Sequence, residues 1–514
     1  MKIFYTLILA AAVSGATSNA QTGKLDQSFG NSGIVVTPLS NGNDVAKGLA
    51  IQDDNKIIVV GTGYLSDRNF SDAFLIRYRS DGTIDSSFGL NGLVIPKLGG
   101  RTGTLSSVVI QPDSKILAGG TSNNPSGGYN FKLIRLNSDG SADPTFGASG
   151  KVSTDFGADD WLSEIKLLSD GKILAVGRSG FLYYNTTVIA RYNRDGSPDY
   201  SFGGDGRIVL GENSGEGTSI DVLPNGNYIV GGTYSGYSFS NHGFLKSIKP
   251  SGVLDSSFGS NGTTVLPELY GIANVLALPN GKIVCGGSKN FDDSYYKHKF
   301  ALYRFNANGQ FDHSFGTNGT IVTVLDSVNN LDRGGQIVLT PNGQIVQAGS
   351  SAGRAALLRY QYNGTLNGFV TTDAGGDSSY ISTMAFEKDY SKLVAAGSRL
   401  TGEIDTGDDV LILRYYARHN QVQPPAYSSS KKMEEQKQLL IYPNPAKTRL
   451  YVEGLEGKYS AKFSLSDRAG NVVYSERSRN TDRKELNVAA LKPGIYFLQV
   501  EENGQIYKFT IIKE

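Results

Sequence analysis

The chain has 514 residues, with 49 Lys plus Arg against 48 Asp plus Glu. That balance supplies no positive field for nucleic acid or an anionic membrane surface. Sixty-four Gly, 28 Tyr and 23 Phe beside a single Cys predict a turn-rich all-β protein that folds without an internal disulfide.

Lys2, the apolar run Ile3–Val13 and Ser18-Asn19-Ala20 have the three parts of a secretory signal, so residues 1–20 are expected to be removed and the mature chain to start at Gln21. The residue at that point is Gln rather than Cys, which argues against a lipid anchor. The run is too short to cross a bilayer, and no later segment reaches the ~20 apolar residues a span needs.

From Leu25 onward one phrase recurs. Ser-Phe-Gly stands at Phe29, Phe88, Phe202, Phe258 and Phe315 and Thr-Phe-Gly at Phe146, with a worn copy at Phe369. A second phrase keeps the same interval: "NKIIVVG" at Asn55–Gly61, "GKILAVG" at Gly171–Gly177, and five further copies ending at Gly120, Gly232, Gly287, Gly349 and Gly397. Seven units of one period mean a repeat architecture.

Each unit holds four short candidate strands, in the first unit Gly48–Gln52, Lys56–Gly61, Phe74–Arg79 and a stretch through Asp85–Ile95. Asp-Gly and Asn-Gly join the first to the second and the third to the fourth, as tight hairpins require. The expected fold is a seven-bladed β-propeller with strands a, b, c and d running from inside to outside. The runs "IIVV" and "VLILRY" suit interior strands, whereas Pro144 and Pro198 assign the Ser-Phe-Gly strand to the outer edge. The mature chain opens with a lone d strand, Leu25–Thr37, and the last unit stops after its c strand at Val410–Tyr416. The first d strand is therefore expected to complete the last blade. Arg recurs on strand c (Arg77, Arg135, Arg191, Arg304, Arg359, Arg414), with Lys246 in the remaining unit, and is expected to pair with the recurrent Asp (Asp85, Asp143, Asp199, Asp255, Asp312). Cys285, inside an apolar strand, reads as a buried structural thiol.

The segments "LIRLNSDGSADPTFGASG" and "IARYNRDGSPDYSFGGDG" resemble the delta-60 repeat family. The resemblance covers Leu25–Asn420, implies a propeller-like fold, and says little about activity.

Past Asn420 the polar stretch Gln421–Gln438, with its Pro-Pro, reads as a linker. Residues 439–514 alternate short strands with Gly or Asn turns and predict a small Ig-like β-sandwich. Tyr442-Pro443-Asn444-Pro445, Asp467–Val472 and the stretch with Gly494 and Tyr496 resemble the type A C-terminal sorting domain of the type IX secretion system. The resemblance implies the type IX machinery as partner, a Bacteroidota-like Gram-negative cell, and release or attachment at the outer surface after the domain is removed.

Function is expected on the face carrying the b–c loops, which read as long and irregular against the tight turns opposite. The ligand-binding candidates there are Tyr183, Tyr184, Tyr234, Tyr237, Tyr295 and Tyr296, since tyrosine offers an apolar face and a hydroxyl to a glycan or protein. Further aromatics include Tyr64 and Tyr129. The d–a loops add Asp44, Asp159, Asp160, Trp161, Glu212, Glu216, Glu268, Asp326 and Asp332. The leading expectation is a secreted or surface-displayed binding module without a cofactor. The alternative is a polysaccharide-active hydrolase or lyase using paired carboxylates. His242, His298, His313 and His419 lack metal-site spacing.

Overall fold

A computed structural model of the chain describes residues 23–67, 70–124, 127–181, 184–211, 215–234, 242–266, 269–291, 294–327, 331–401, 407–417, 440–442, 448–453, 455, 460–467, 471–478, 483–492, 494–503 and 505–513. The leader 1–20 and the linker 421–438 lie outside them. The chain divides into two compact units, Met1–Val422 and Gln423–Glu514. Regular structure among the described residues is β throughout, and no helix there is long and apolar enough to cross a membrane.

The first unit holds seven four-stranded antiparallel sheets. The first sheet orders its strands in sequence: a Val45–Ile51, b Ile57–Asp67, c Phe70–Tyr78 and d Leu93–Val94. Five more sheets repeat this order. The seventh takes a, b and c from Ser378–Phe386, Lys392–Leu400 and Asp408–Tyr416, and its d strand from Ile34–Thr37. Ile34 pairs with Leu413 and Thr37 with Val410, so strands from both ends of the repeat region share one sheet.

The continuous apolar runs of strand b follow from burial on both faces. Ile58 and Val60 pack toward the second sheet, whereas Ile57 and Val59 pack toward Val394 and Ile412 of the seventh. Seven such clusters each join two neighbouring sheets, and the series returns from the seventh sheet to the first. The glycine that ends each b phrase answers a backbone approach. A Cβ on Gly61 would lie 1.9 Å from the carbonyl oxygen of Val45, beside a bulge in strand a between Ala46 and Gly48.

The Ser-Phe-Gly phrase is an inter-sheet latch. Phe88 is fully buried and meets the next sheet at Gly140, whose φ is +89° and where a Cβ would come within 2.9 Å of the ring. The Gly89 N–H donates to the Asp139 carbonyl of the same turn at 2.9 Å. Arg77 lies 4.6 Å over the Phe88 ring, bonds Asp85 through Nε at 2.9 Å, and reaches the Ser138 carbonyl in that turn. Arg135, Arg191, Arg304 and Arg414 repeat the arrangement with Asp143, Asp199, Asp312 and Asp26. The expected Arg–Asp pairing is therefore present, and each guanidinium also ties its sheet to the next.

Two expectations need correction. Lys246 does not occupy the Arg position of the fourth sheet. It pairs with Val230, while Ser247 pairs with Ile229, the register that Arg304 takes opposite Val284. A single-residue offset turns a strand side chain to the other face; Lys246 lies against Tyr234 and Phe244 instead. Phe369 is likewise no worn latch. It pairs with Leu358 as Leu93 pairs with Ile76, and it is 56% exposed. The counterpart of Ser86–Asn91 is missing from the sixth sheet, where Gly368 directly follows Asn367.

The second unit packs a three-stranded sheet (Leu440–Tyr442, Arg449–Glu453, Arg483–Asn487) on a four-stranded one (Val472–Ser478, Ala461–Ser466, Gly494–Glu502, Gln505–Lys513). Leu450, Val452 and Leu486 of the first meet Phe463, Leu465, Leu498 and Val500 of the second in one core, giving a β-sandwich.

Candidate functional site

The a–b and c–d turns lie on one face of the propeller and the b–c and d–a connections on the other. The b–c connections are more regular than the sequence suggested. In the first, third and fifth sheets strands b and c continue as hairpins, with Asp67 opposite Phe70, Phe181 opposite Tyr184 and Phe291 opposite Ser294. Tyr184, Tyr295 and Tyr296 fall on such hairpin strands. Tyr183 and Tyr237 lie outside the described residues. Tyr234 is half-buried, its ring 4.8 Å from Phe244. Of the six, Tyr234 alone has a described side chain.

Several d–a carboxylates are structural. Asp44 is buried and accepts N–H donors from Leu39 and Ser40 at 2.8 and 2.7 Å. Asp332 is buried and accepts from Leu325 at 2.7 Å. Asp160 is buried and accepts from Phe156 at 2.7 Å; burial, with Asp155 and Asp159 nearby, pushes its pKa up to about 6. These oxygens fold the loop entering strand a and present no open pair for glycoside chemistry. Glu212 and Glu268 lie outside the described residues.

One group on this face is accessible and chemically varied. Trp161, the chain's single tryptophan, is the second residue of strand a of the third sheet (Asp160–Leu167) and stacks on Tyr129 of the second, ring centroids 4.5 Å apart and planes tilted by 30°. The Tyr129 N–H donates to Asp159 at 3.1 Å, which fixes the ring's base. Arg178, paired with Trp161 across strands a and b, holds its guanidinium 5.6 Å over the indole and lies 3.7 Å from Glu216 of the fourth sheet. All four side chains are half-exposed. Phe181, farther along the same strand as Arg178, is 65% exposed.

Arg178 was not singled out from the sequence, although a signal existed. The residue after the b-strand glycine is Thr62, Thr121, Thr233, Ser288, Ser350 or Ser398 in the other sheets. Three of those hydroxyls stitch neighbouring sheets together: Thr62 donates to the Gly103 carbonyl at 3.1 Å, and Thr121 and Ser288 accept from the Leu162 and Gly334 N–H groups, each at 2.9 Å. Arg178 alone departs from that pattern, beside the only Trp.

Elsewhere, Cys285 is fully buried and burial raises its pKa, which agrees with a structural thiol. Burial brings Lys246 down to about 8. Among the described residues no group of three or more His, Cys, Asp or Glu is placed to hold a metal ion. In the sandwich, Tyr496 is buried and its hydroxyl donates to the Lys492 carbonyl at 2.9 Å, while Gly494 is exposed. Tyr442 ends a described strand; Pro443, Asn444 and Pro445 lie outside the described residues.

Comparison with known proteins agrees with both units. Residues 440–514 match the secretion system C-terminal sorting domain. Residues 52–88, 111–146, 168–202 and 278–315 match a beta-propeller domain of unknown function (DUF5122). No curated protein matches the chain. Similar solved structures include a polysaccharide lyase, an ulvan lyase, at 13% identity over 75% of this chain and 96% of that one (TM-score 0.47). Drosophila semaphorin 2a aligns at 9% identity over 93% and 98% (TM-score 0.42). An aldose sugar dehydrogenase from Streptomyces coelicolor aligns at 13% identity over 62% and 96% (TM-score 0.37). None of these transfers a ligand or a reaction. The chain is thus a repeat propeller with a type IX sorting tail, which marks it for secretion or the cell surface.

Proposed function

We propose that this exported propeller is a glycan-binding module and that Trp161, Tyr129, Arg178 and Glu216 form the centre of its contact surface. The observation that carries this reading is the half-exposed Trp161–Tyr129 stack beneath the Arg178 guanidinium. A sugar ring lays its C–H face on an aromatic surface, and the flanking guanidinium and carboxylate supply a donor and an acceptor for its hydroxyls. Phe181, exposed farther along strand b of the third sheet, extends the surface.

Because Trp161 is the only tryptophan, its emission reports on this site alone. The experiment is to titrate the exported chain with a panel of polysaccharides while reading tryptophan fluorescence, retention and soluble products. A change in emission together with retention supports the module. Retention without any change at Trp161 moves the contact surface elsewhere, and release of soluble products replaces binding with catalysis.

A further inference from the structure

Strand a is the innermost strand of each sheet, and each strand a touches those of the sheets on either side, the seventh meeting the first. The edge of strand a that turns away from strand b has no partner strand, so its N–H groups need other acceptors. From the fourth sheet to the seventh, the preceding sheet supplies them. Glu164 accepts the Ile220 N–H at 2.8 Å, Ser219 the Val275 N–H at 3.1 Å, Asn274 the Ile337 N–H at 3.3 Å and Gln336 the Met384 N–H at 2.5 Å. The four donors share one register, opposite the residue two before the glycine that ends the b phrase.

Val108, on strand a of the second sheet (Gly103–Ile110), holds the same register opposite Ala118. The acceptor position in the sheet before it is Gly48, and only there among the seven sheets does that position carry no side chain. A Cβ on Gly48 would lie 2.8 Å from Val60 Cγ2 and 3.1 Å from the Ser106 carbonyl oxygen, so the close approach of the two sheets excludes one. Among the described residues no group accepts the Val108 N–H. Lys47, which precedes Gly48, is the extra residue of the strand-a bulge. Ala46 and Leu49 pack toward the seventh sheet and Gly48 faces the second, which leaves the exposed Lys47 side chain the central channel to enter. The other sheets place Ser106, Ser163, Thr218, Ala273, Gly335 or Ser382 at this bulge. The surrounding strands strip Lys47 of part of its hydration, which lowers its pKa, and no carboxylate among the described residues offsets the shift.

We propose that the channel binds a small carboxylate anion here, with one oxygen accepting from the Val108 N–H and the other from the Lys47 ammonium. Asp221 supplies the template within the same ring. Its Oδ2 accepts the Ala277 N–H of the next strand a at 2.8 Å, while its Oδ1 meets the Lys166 ammonium of the preceding strand a at 2.7 Å. A free carboxylate between Lys47 and Val108 reproduces both contacts where Gly48 leaves no side chain to make them. One positive charge beside a neutral donor suits a monoanion better than a dianion such as sulfate. The site is separate from the Trp161 surface, and neither proposal depends on the other.

The test is reductive methylation of the exported chain at constant ionic strength, followed lysine by lysine by mass spectrometry. Acetate is expected to slow modification of Lys47 selectively and saturably. Acetamide should be at least about tenfold weaker, since a charge-assisted bond contributes roughly a factor of ten or more. Acetate stands for a free acid and glucuronate for a sugar acid, and the stronger protection names the source. In a labelled chain acetate is also expected to shift the Val108 amide resonance, and Lys47→Ser, which installs the residue of three other sheets, should abolish that shift. No selective slowing of Lys47 up to decimolar acetate, equal protection by acetamide, stronger protection by sulfate, or a shift that persists in Lys47→Ser would each overturn the proposal. If Lys47→Ser does not fold, the acetate–acetamide comparison on the unaltered chain decides.

Discussion

Arg414 donates from Nε to Asp26 at 2.9 Å across 388 positions of sequence. Lys392 bonds the same carboxylate, and Arg414 also covers Phe29 at 4.5 Å and reaches the Ser80 carbonyl of the first sheet. The seventh sheet is thus held by the same latch as the first, second, third and fifth sheets, with halves taken from opposite ends of the repeat region. Asp26→Ala leaves two largely buried cations without their carboxylate, a change that costs about 3–5 kcal/mol. Asp143→Ala removes the same contacts within one continuous segment of chain. Urea denaturation is expected to show a larger loss for Asp26→Ala, because that variant also loosens the joining of the two ends. Equal losses would mean that the seam is no weaker than any other junction.

The latches make stability depend on acidity, with a defined sign. Burial works against ionisation of Asp26, Asp143, Asp199 and Asp312, yet the hydrogen bonds of Lys392, Lys115, Lys172 and Lys282, with those of neighbouring Ser and Thr residues, outweigh it and hold all four below the usual carboxylate range. Asp85 is held at about 2. A depressed folded-state pKa gives stability that is present above the unfolded value, about 3.9, and lost as pH falls below it. Asp160 has the opposite sign. Its pKa is raised to about 6, so the folded state gains relative stability as pH falls from above 6 toward 4. Denaturation midpoints are expected to fall steeply below pH 4. Asp160→Asn, which keeps an acceptor for the Phe156 N–H, should remove the Asp160 share of the component between pH 4 and 6, leaving that of other raised carboxylates such as Asp44 and Glu387 and the acid limb unchanged.

How much of this was legible follows from what a period can carry. The interval and the turn dipeptides give the number of sheets, and the lone Leu25–Thr37 segment gives the sheet it completes, because these are properties of chain order. Register is different. "FLKSIKP" offers Lys246 as the obvious stand-in for arginine, and only strand pairing reveals that Ser247 holds the position. The sixth-sheet gap was visible as a short interval, but its cause is the absence of a turn in a neighbour, a fact about space. The Trp161 surface was half legible. Trp161 and Tyr129 stood in separate groups of candidates, and their contact joins strand a of one sheet to strand c of the sheet before it, a juxtaposition that chain order does not carry.

The fourth sheet offers a test of the latch in the opposite direction. Asn227 and Ser247 stand where the first, second, third, fifth and seventh sheets have Lys and Arg, and Asp255 accepts a neutral donor from Asn227 at 2.8 Å besides its own turn. The pair Asn227→Lys and Ser247→Arg rebuilds the consensus around a carboxylate already in place. The surrounding backbone matches sheets that accommodate Arg, since the Gly259 N–H still meets the Asn308 carbonyl at 2.8 Å. The double variant is expected to gain about 0.5–2 kcal/mol, the range for restored consensus contacts, read as a higher urea midpoint. A loss would show that the fourth sheet tolerates only a neutral latch.

The contact surface predicts a graded response. Tyr129→Ala keeps the indole but removes its stacking partner, a contribution of about 0.5–1.5 kcal/mol beyond area, so glycan affinity should fall about two- to twelvefold. Trp161→Ala removes the platform and should abolish retention while leaving the urea midpoint near that of Tyr129→Ala, since both rings are half-exposed. Asp159→Ala releases the backbone that orients Tyr129 and is expected to resemble Tyr129→Ala. Replacing Tyr183, Tyr184, Tyr295 and Tyr296 together by Ala tests the extent of the surface. A loss confined to long oligosaccharides places those hairpins at outer subsites, because only a long chain reaches them. An equal loss for a disaccharide would move the centre of binding from Trp161 to the hairpins.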